Sequence, residues 1–393
     1  MDTDSSLAGE PVRRPVVALV VDAVHPWSRG GREIRYHELT RRLADRAEYH
    51  VYTMHWWDGP RVHEVGDVTF HAISPLFSMY HQGRRSLRQS LFFSACCFRL
   101  LWRRFDILES DHIPHLQVLV LCLVAAIRRK PFIVTWHEVW GRSSWQEYLG
   151  RWLGRVAWLI EWLAMRLPDR ILAASHQTEE ALRAVIGSRM PVMVAPNGID
   201  LEAIAAITPH PAVTDLVVVG RLMPHKQVGM LLRAVARLHA DGHPVTCRVI
   251  GDGPEREALR SLALDLGLGS AVDFRHDVGT QDELYALVKA ARLFVFPSAR
   301  EGFGAAALEA LACGVPVVTT SAPGNLSQFL VVQSQRGIVC DPTIPALADA
   351  IDAALAASAG PVVPRARWAG DAWLTEHGWA AVSERVAQCL EIP

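Results

Sequence analysis

Short runs of consecutive β-branched and aliphatic residues recur along the chain, and stretches with a helical spacing of apolar side chains separate them. Residues 15–21 and 216–219 are two such runs, and residues 32–46 and 231–240 are two of the intervening stretches. Continuous apolar runs are typical of parallel strands that are covered on both faces. Strands that alternate with helices predict a parallel sheet with helices wound on both sides. The expected fold class is therefore α/β.

The alternation forms two series. With 393 residues, half of them hydrophobic, the chain is long enough for two or three domains with substantial cores. A turn signal at residues 196–200 and a proline-marked connector at residues 208–211 separate the two series. We predict an N-terminal domain over residues 1–205, a C-terminal domain over residues 206–370 and a terminal helical segment over residues 371–393.

Charge and cysteine content limit the possible partners and compartments. The chain has 40 basic and 41 acidic residues, so its overall charge predicts no nucleic-acid binding. Seven cysteines without CxxC pairing indicate reduced thiols in a cytoplasmic protein. The polar residues 1–14 contain no apolar signal core, and the apolar run at residues 116–127 is too short to span a bilayer. The histidines lack ligand spacing with cysteine or acidic residues, so no metal site is predicted.

The strongest candidate site is the stretch of residues 301–318, which follows a predicted strand at residues 292–297. Gly304 lets the backbone approach a bound group, and the helix that follows offers unpaired N–H donors in its first turn. Glu309 lies about two helical turns beyond Glu301 and returns to the same side. The two carboxylates can accept hydrogen bonds from vicinal hydroxyl groups while the helix amides face an anionic group. The pattern favours a polyhydroxylated ligand; the alternative is a solvated turn glutamate and an ordinary helix glutamate.

Two cations follow the first strand of the second series. Arg221 and Lys226 lie five residues apart in this loop, and Lys226 is one of only three lysines in the chain. The planar fork of arginine and the point charge of lysine are both suited to a diphosphate. We predict a diphosphate site here, with two solvated loop cations as the alternative.

Candidate site residues also follow strands of the first series. Gly30 and Gly31 open a helix after the first strand, and His137 directly follows a predicted strand at residues 132–136. In open α/β sheets, ligands bind beyond the carboxyl ends of the strands. These residues are therefore site candidates; the alternatives are glycines that serve only the turn and a histidine of the core or surface.

Two predicted helices, at residues 84–104 and 143–167, combine arginines with aromatic side chains. Basic amphipathic helices of this kind can lie on an anionic membrane or face a lipid-linked acceptor. The alternative is a pair of core-packing helices with solvated arginines. The pattern leaves open a peripheral contact with the inner face of a membrane.

Together these motifs resemble the retaining GT-B glycosyltransferases of family four, which use nucleotide sugars. The resemblance covers most of the chain, and the order of the motifs makes it specific. The residues that carry it are Gly30-Gly31, His137, Pro196-Asn197-Gly198-Ile199-Asp200, Gly220-Arg221-Leu222 with Lys226, Gly251-Asp252-Gly253-Pro254, and the Glu-x7-Glu signature from Glu301 to Glu309 followed by Gly314-Val315-Pro316-Val317.

The resemblance implies a fold and an activity. The fold would be GT-B, in which two doubly wound Rossmann-like domains face each other across a cleft, with the donor mainly in the C-terminal domain. The terminal helix would cross back to the N-terminal domain. The activity would be transfer of a hexose-type sugar from a nucleotide diphosphate sugar to a hydroxyl acceptor, lipid-linked acceptors included, with retention and without a metal. Two alternatives are a catalytically silent GT-B subunit that binds nucleotide and supports a partner enzyme, and a nucleotide-sugar epimerase.

The resemblance also implies a role for each site residue. Glu309 would hold the ribose and Glu301 the hydroxyl groups of the donor sugar, while Arg221 and Lys226 would neutralise the diphosphate. Main-chain amides near the start of the helix would add hydrogen-bond donors, and His137 would approach the transferred sugar. The glycine pair after the first strand would line the acceptor side. The predicted catalytic residues are His137, Glu301, Arg221 and Lys226, and the predicted donor-binding residues are Gly30, Gly31, Arg221, Lys226, Glu301, Phe303, Gly304 and Glu309.

Two positions depart from the family pattern. Arg275 follows Phe274 where the family commonly has a glycine near the nucleotide base, and residues 321–328 lack the acidic residue that often follows a glycine pair there. The sequence therefore predicts neither the base nor the sugar of the donor.

Overall fold

The computed structural model describes residues 13–28, 30–81, 84–357 and 371–393. The chain forms two compact units. The first comprises the residues up to Pro196 together with Val382–Pro393, and the second comprises Asn197–Ala381.

The first unit is built on a sheet whose strands follow the order β10-β9-β8-β7-β1-β2-β4-β3 within the described residues. Neighbouring strands are parallel except β3, which pairs antiparallel with β4 at one edge. A separate two-stranded ribbon pairs β5 with β6. The strands are β1 (Val16–Val20), β2 (Glu48–Met54), β3 (Val62–Val65), β4 (Val68–Ser74), β5 (Tyr80–His81), β6 (Arg84–Arg85), β7 (Ile107–Asp111), β8 (Phe132–Trp136), β9 (Arg170–Ala173) and β10 (Val192–Val194).

Helices connect these strands and cover the sheet. The α-helices are α1 (Gly31–Arg42), α2 (Leu87–Cys96), α3 (His115–Arg128), α4 (Gly141–Leu149), α5 (Arg151–Ala164) and α6 (His176–Ile186), and a 3₁₀ helix spans Cys97–Trp102. All five residues of β1, β7 and β8 are buried, as expected of central parallel strands.

The second unit has a sheet with the order β13-β12-β11-β14-β16-β18, and every pairing in it is parallel. The short strands β15 and β17 pair with each other. The strands are β11 (Thr214–Val219), β12 (Cys247–Ile250), β13 (Val272–Arg275), β14 (Ala291–Phe296), β15 (Arg300–Glu301), β16 (Val317–Thr320), β17 (Gly324–Asn325) and β18 (Gly337–Cys340).

The helices of this unit pack on both faces of its sheet and form two hydrophobic clusters with it. They are α7 (Leu201–Ala206), a 3₁₀ helix at Pro224–Lys226, α8 (Val228–Ala240), α9 (Arg256–Asp265), α10 (Gln281–Lys289), α11 (Ala305–Ala312), α12 (Ser327–Ser334), α13 (Ile344–Ala357) and α14 (Ala372–Glu376). The last helix, α15 (Trp379–Leu390), begins in the second unit and ends in the first.

Each sheet contains a point where the strand order reverses. In the first unit this point lies between β1 and β7, and in the second it lies between β11 and β14. The loops that leave the carboxyl ends of such neighbouring strands diverge and open a crevice for ligands. A functional site is therefore expected at each of these two positions.

Three sequence-based helix predictions are wrong in detail. The helix predicted over residues 84–104 begins only after Ser86, whose hydroxyl caps it by accepting from the Gln89 amide, and it tightens into the 3₁₀ helix at its end. The helix predicted over residues 143–167 breaks at Gly150, which has φ +83°, and the terminal helix is divided into α14 and α15. Gly154 then allows α4 and α5 to lie close together, because a Cβ there would lie 2.5 Å from the Gln146 Cα.

Candidate functional site

An ion pair lies at the reversal point of the second sheet. Lys226, in the loop after β11, contacts the carboxylate of Glu301, which follows β14, and Ser298 Oγ donates a hydrogen bond of 2.9 Å to Glu301 Oε1. The ammonium group also lies 5.0 Å from the centre of the Phe296 ring. The two charged side chains are only 18% and 12% exposed. The strand order thus brings together two of the predicted catalytic residues, which are 75 positions apart in sequence.

The loop that carries Lys226 is held by close backbone contacts with the next loop. A Cβ on Gly251, which has φ +136°, would lie 2.0 Å from the Gly220 carbonyl oxygen, and a Cβ on Gly253 would lie 2.4 Å from the Leu222 carbonyl oxygen. Only glycine fits such approaches. The two glycine motifs therefore fix the position of the loop against its neighbour.

Arg221 lies in the same loop, but its side chain is exposed. The guanidinium group makes no hydrogen bond or ion pair with any of the residues that the structure describes, although the Arg221 carbonyl accepts from the Met223 amide at 2.8 Å. The structure therefore places Arg221 near the start of the loop that ends in Lys226, without joining it to the Lys226–Glu301 pair.

The backbone turns sharply between Glu301 and helix α11. Gly304 caps the helix with φ +88°, and a Cβ at this position would lie 2.4 Å from Ser327 Cβ. Phe303, just before it, is buried in the hydrophobic core of the unit. The Phe303 side chain thus anchors the turn. The Ala307 and Leu308 amides already donate to the Gly304 carbonyl, so within the described residues the amides of Ala305 and Ala306 are the ones that the helix leaves for a ligand.

Glu309 is held by a different set of contacts from Glu301. One of its carboxylate oxygens accepts a hydrogen bond of 3.1 Å from the Tyr285 hydroxyl and one of 3.4 Å from Gln281 Nε2, both on α10. Burial raises the pKa of Glu309 to about 7, and the Tyr285 hydrogen bond only partly opposes this. The carboxylates of Glu301 and Glu309 share no hydrogen-bond partner in the described part of the chain.

A second polar cluster surrounds Asp111 at the reversal point of the first sheet. Asp111, at the end of β7, is fully buried and lies 3.2 Å from Arg32 and 3.1 Å from His137 Nε2, and it accepts from the Tyr36 hydroxyl at 3.1 Å. Burial opposes ionisation of Asp111, but the charge of Arg32 and the hydrogen bond from His137 outweigh it and hold the pKa of this carboxyl well below its usual range. The cluster therefore contains a permanent buried anion.

His137 contacts this anion directly. Burial lowers the pKa of His137, and Asp111 only partly offsets that effect. His137 is therefore neutral at pH 7, and because ionised Asp111 only accepts, the proton of the imidazole lies on Nε2. The remaining nitrogen, Nδ1, is then a hydrogen-bond acceptor.

Sequence reasoning missed Asp22, which follows β1 and is also fully buried. Asp22 pairs with Arg85 and with Arg32, at 3.5 Å for the latter, and accepts from Gln89 Nε2 at 3.0 Å. The only signal in the sequence was its position at the end of a strand, and two of its partners, Arg85 and Gln89, lie on a segment that follows β4. Asp22 and Asp111 together surround Arg32 with negative charge.

The two glycines at the start of α1 differ in their surroundings. A Cβ on Gly30 would lie 2.4 Å from the Glu33 carboxylate, whereas Gly31 has no heavy atom within 4 Å of such a Cβ. Gly30 thus lets the buried Glu33 turn back toward the start of its own helix, close to the Arg32 guanidinium at 3.7 Å. A Cβ at Gly30 would displace only the far end of the flexible Glu33 side chain, so space among the described residues requires glycine at neither position.

The loop after His137 is held by a buried carboxylate that the sequence did not single out. Glu161 on α5 accepts hydrogen bonds from the Trp140 and Gly141 amides at 2.8 and 3.0 Å and from Trp145 Nε1 at 2.9 Å. Burial nevertheless raises the pKa of Glu161. This carboxylate therefore fixes the backbone that leaves the end of β8.

Among the described residues, no three histidine, cysteine or acidic side chains are grouped so that they could hold a metal ion. None of the helices in the described ranges is both long enough and apolar enough to cross a bilayer.

Two family profiles match the chain in succession. The profile of Glycosyltransferase Family 4 matches residues 29–203, and that of the Glycosyl transferases group 1 matches residues 204–368. Glycogen synthase of Mycobacterium tuberculosis strain H37Rv is 30% identical over 266 residues, which are 66% of this chain and 62% of the relative. The match thus spans less than two thirds of the length of that relative.

Solved structures of low sequence identity share the fold. Sucrose-phosphate synthase from Thermosynechococcus elongatus has a TM-score of 0.75 at 21% identity, covering 95% of this chain and 98% of that one. HepE from Anabaena, in complex with UDP-glucose, has a TM-score of 0.69 at 19% identity, covering 96% of this chain and 100% of that one. Both the predicted fold class and the predicted family are confirmed. The chain therefore belongs to the family 4 glycosyltransferases, the glycosyl transferases group 1, and has their GT-B fold.

Proposed function

We propose that this protein transfers a sugar from a nucleotide diphosphate sugar to a hydroxyl group of an acceptor, with retention of the anomeric configuration and without a metal. The observation that carries the proposal is the Lys226–Glu301 pair at the reversal point of the second sheet. The second unit would bind the donor and the first unit the acceptor.

The pair can serve two parts of one donor molecule. Lys226 and Ser298 both contact Glu301 Oε1, which leaves Oε2 to accept a hydrogen bond from a hydroxyl group of the sugar. The Lys226 ammonium has three protons, so it can also contact a phosphate oxygen while it stays paired. Exposed Arg221 would bind the diphosphate from the same loop, with a planar fork suited to phosphate oxygens.

The chemistry needs positive charge at the diphosphate. Breaking the bond between the anomeric carbon and the diphosphate builds negative charge on the leaving group, and fixed cations and amides lower the barrier to this step. The fixed cations would be Lys226 and Arg221. The amides would be those in the first turn of α11, beginning near Phe303 and Gly304. Glu309, on the same helix, would accept hydrogen bonds from the ribose hydroxyl groups.

The first unit would contribute His137 and the loop at Gly30 and Gly31. With its proton on Nε2 and held by Asp111, His137 presents Nδ1 to a hydroxyl group of the transferred sugar or of the acceptor. The departing phosphate would help to deprotonate the acceptor on the face from which it leaves, which accounts for retention without an enzyme nucleophile.

The proposal extends to the cellular location and to the acceptor. All seven cysteines lie in the described ranges as free thiols, which supports a cytoplasmic location. The acceptor carries a hydroxyl group, and lipid-linked acceptors belong in the test because α2, the 3₁₀ helix at Cys97–Trp102, α3 and α5 expose aromatic and arginine side chains. The UDP-glucose bound to HepE makes that compound the first donor to test.

The test is a panel of UDP-, GDP- and ADP-sugars with release of nucleoside diphosphate as the readout. Lys226→Ala and Glu301→Ala should each lower kcat by about 10²–10³-fold, the usual effect of removing one charge-stabilising contact. Arg237→Ala, an exposed cation on α8, is the matched control and should leave turnover unchanged.

Three results would contradict the proposal. Undiminished turnover in both site variants would refute the site. Tight nucleotide binding without turnover on any acceptor would favour a silent subunit, and conversion of one nucleotide sugar into its epimer would favour an epimerase.

A further inference from the structure

One face of the first sheet is covered by a layer of helices whose outer side is unusually apolar. The layer consists of α2, the 3₁₀ helix at Cys97–Trp102, α3 and α5, and we refer to its outward side as the basic-aromatic surface. Of the 21 large hydrophobic side chains exposed in the described residues, 13 lie on this layer. Scattered exposed apolar residues are normal, but a concentration of this kind marks an interaction site.

The four helices belong to one continuous layer. Helix α3 packs against α2, the 3₁₀ helix and α5. Their inward residues, among them Phe93, Leu121 and Ala164, join the same hydrophobic core beneath. Because the inward sides share one core, the opposite sides form one surface.

The side chains on this surface include large aromatic ones. Trp152 on α5 is 74% exposed and Trp102 at the end of the 3₁₀ helix is 79% exposed, with Leu91 and Ile127 exposed on α2 and α3. A tryptophan side chain has roughly 150–250 Å² that it can bury. Tryptophan combines an apolar body with a polar N–H group, which suits the boundary between lipid and water.

The charge of the surface is one-sided. The four helices contain five arginines, whereas their only acidic residue, Glu161, is fully buried and holds the loop after His137. Several guanidinium groups lie over aromatic rings of the same region, such as Arg166 at 3.8 Å from the centre of the Trp162 ring and Arg155 at 5.3 Å from that of Trp152. An exposed apolar surface with positive charge and no exposed carboxylate is complementary to an anionic lipid headgroup layer.

We propose that the basic-aromatic surface binds the first unit to an anionic membrane, with Trp102 and Trp152 inserted among the headgroups. Charge complementarity favours a membrane over a second copy of the chain, because two copies would bring arginines against arginines. The inference depends on this surface alone and not on the proposed sugar transfer.

The test uses the full-length protein and vesicles without any nucleotide. Binding is measured by sedimentation with phosphatidylcholine vesicles that either contain or lack a phosphatidylglycerol fraction. We expect affinity for the anionic vesicles to be at least about tenfold higher and to fall with added salt, because each arginine near the surface adds an electrostatic contribution.

Two variants and a matched control locate the contact. Trp102→Ser combined with Trp152→Ser, and Arg88→Glu combined with Arg151→Glu, should each lower binding to anionic vesicles about tenfold or more. Leu264→Ser, which changes a 69% exposed side chain on α9 of the second unit, should not alter it. UDP binding by each variant is also measured and reports whether the second unit is intact. Loss of vesicle binding by a variant that still binds UDP therefore concerns this surface and not the proposed sugar transfer.

The proposal is overturned if the wild-type protein does not bind anionic vesicles, or if the surface variants bind them as tightly as the Leu264→Ser control does. It is also overturned if the wild-type protein is a dimer in solution that both surface variants convert to a monomer, since the surface would then contact a second copy.

Discussion

Replacing Glu309 by glutamine should stabilise the second unit and at the same time weaken nucleotide binding. Burial raises the pKa of Glu309 to about 7 from an ordinary value of 4.5. Between these two values the folded state keeps a proton that the unfolded chain has released. The free energy of unfolding therefore falls as pH rises from about 4.5 to about 7, and a neutral glutamine avoids this loss.

The size of the effect follows from the two pKa values. With 1.36 kcal/mol for each pKa unit, the wild-type carboxyl costs about 1 kcal/mol of stability at pH 5 and about 3 kcal/mol at pH 8. Glutamine can still accept the Tyr285 hydrogen bond through its amide oxygen, so the packing around position 309 is retained. Glu309→Gln should thus gain about 2 kcal/mol more at pH 8 than at pH 5.

The assay is urea denaturation of wild type and variant at both pH values, followed by a fluorescence probe in the second unit. Glu257→Gln, at an exposed position on α9, is the control and should show no such difference. UDP affinity of the wild type should rise with pH through about 7, as the carboxylate that accepts the ribose hydrogen bonds forms. Two results would refute this account of Glu309: a stability difference between variant and wild type that is the same at both pH values, or a UDP affinity of the variant equal to that of wild type.

Other consequences of the structure can be measured directly. Gly304→Ala should lower the free energy of unfolding in urea by about 2–5 kcal/mol, because alanine is strained in the left-handed backbone and its Cβ would press on Ser327. Gly279→Ala is the control, since a Cβ there meets open space, and it should change stability little. Equal losses in the two variants would contradict the geometry. Asp111→Asn should lower the pKa of His137 further, because it removes the negative charge that raises it, and NMR titration of the imidazole would show an upward or absent shift if the contact were unimportant.

Much of the fold could be predicted because its signal is local. Apolar runs identified the central strands, and the strand at residues 292–297 matches the observed Ala291–Phe296 within one residue at each end. Helix interruptions were harder, since a lone glycine such as Gly150 also occurs inside helices, and the sequence did not show that its backbone would take φ +83° and end α4. The edge strand Val62–Val65 was missed because all its residues are exposed and show no buried alternation.

The candidate site was predictable in its residues but not in its pairings. Glu301, Lys226 and Glu309 stood out by their positions after strands and on a helix, yet the sequence could not show that Lys226 would pair with Glu301 while Glu309 joins Tyr285. Such pairings depend on which strands are neighbours, and β11 and β14 are adjacent although most of the unit's first half separates them in sequence.

The buried charges of the first unit were the least predictable part. A single aspartate at a strand end, such as Asp22, has no sequence signature until the segment that carries Arg85 folds over it. The same holds for Glu161, which looks like an ordinary helix residue and yet accepts from the Trp140 and Gly141 amides and from the Trp145 indole on α4. Both carboxylates gain their hydrogen-bond and ion-pair partners only when the fold buries them.

Hydrogen exchange measured by mass spectrometry with and without saturating UDP tests the central claim most directly. If the second unit binds the donor at the reversal point of its sheet, protection should appear in residues 220–227 and 298–309, and Lys226→Ala should abolish it at the same UDP concentration. Protection confined to the first unit, or saturable UDP binding that leaves both segments of the second unit unchanged, would contradict the account.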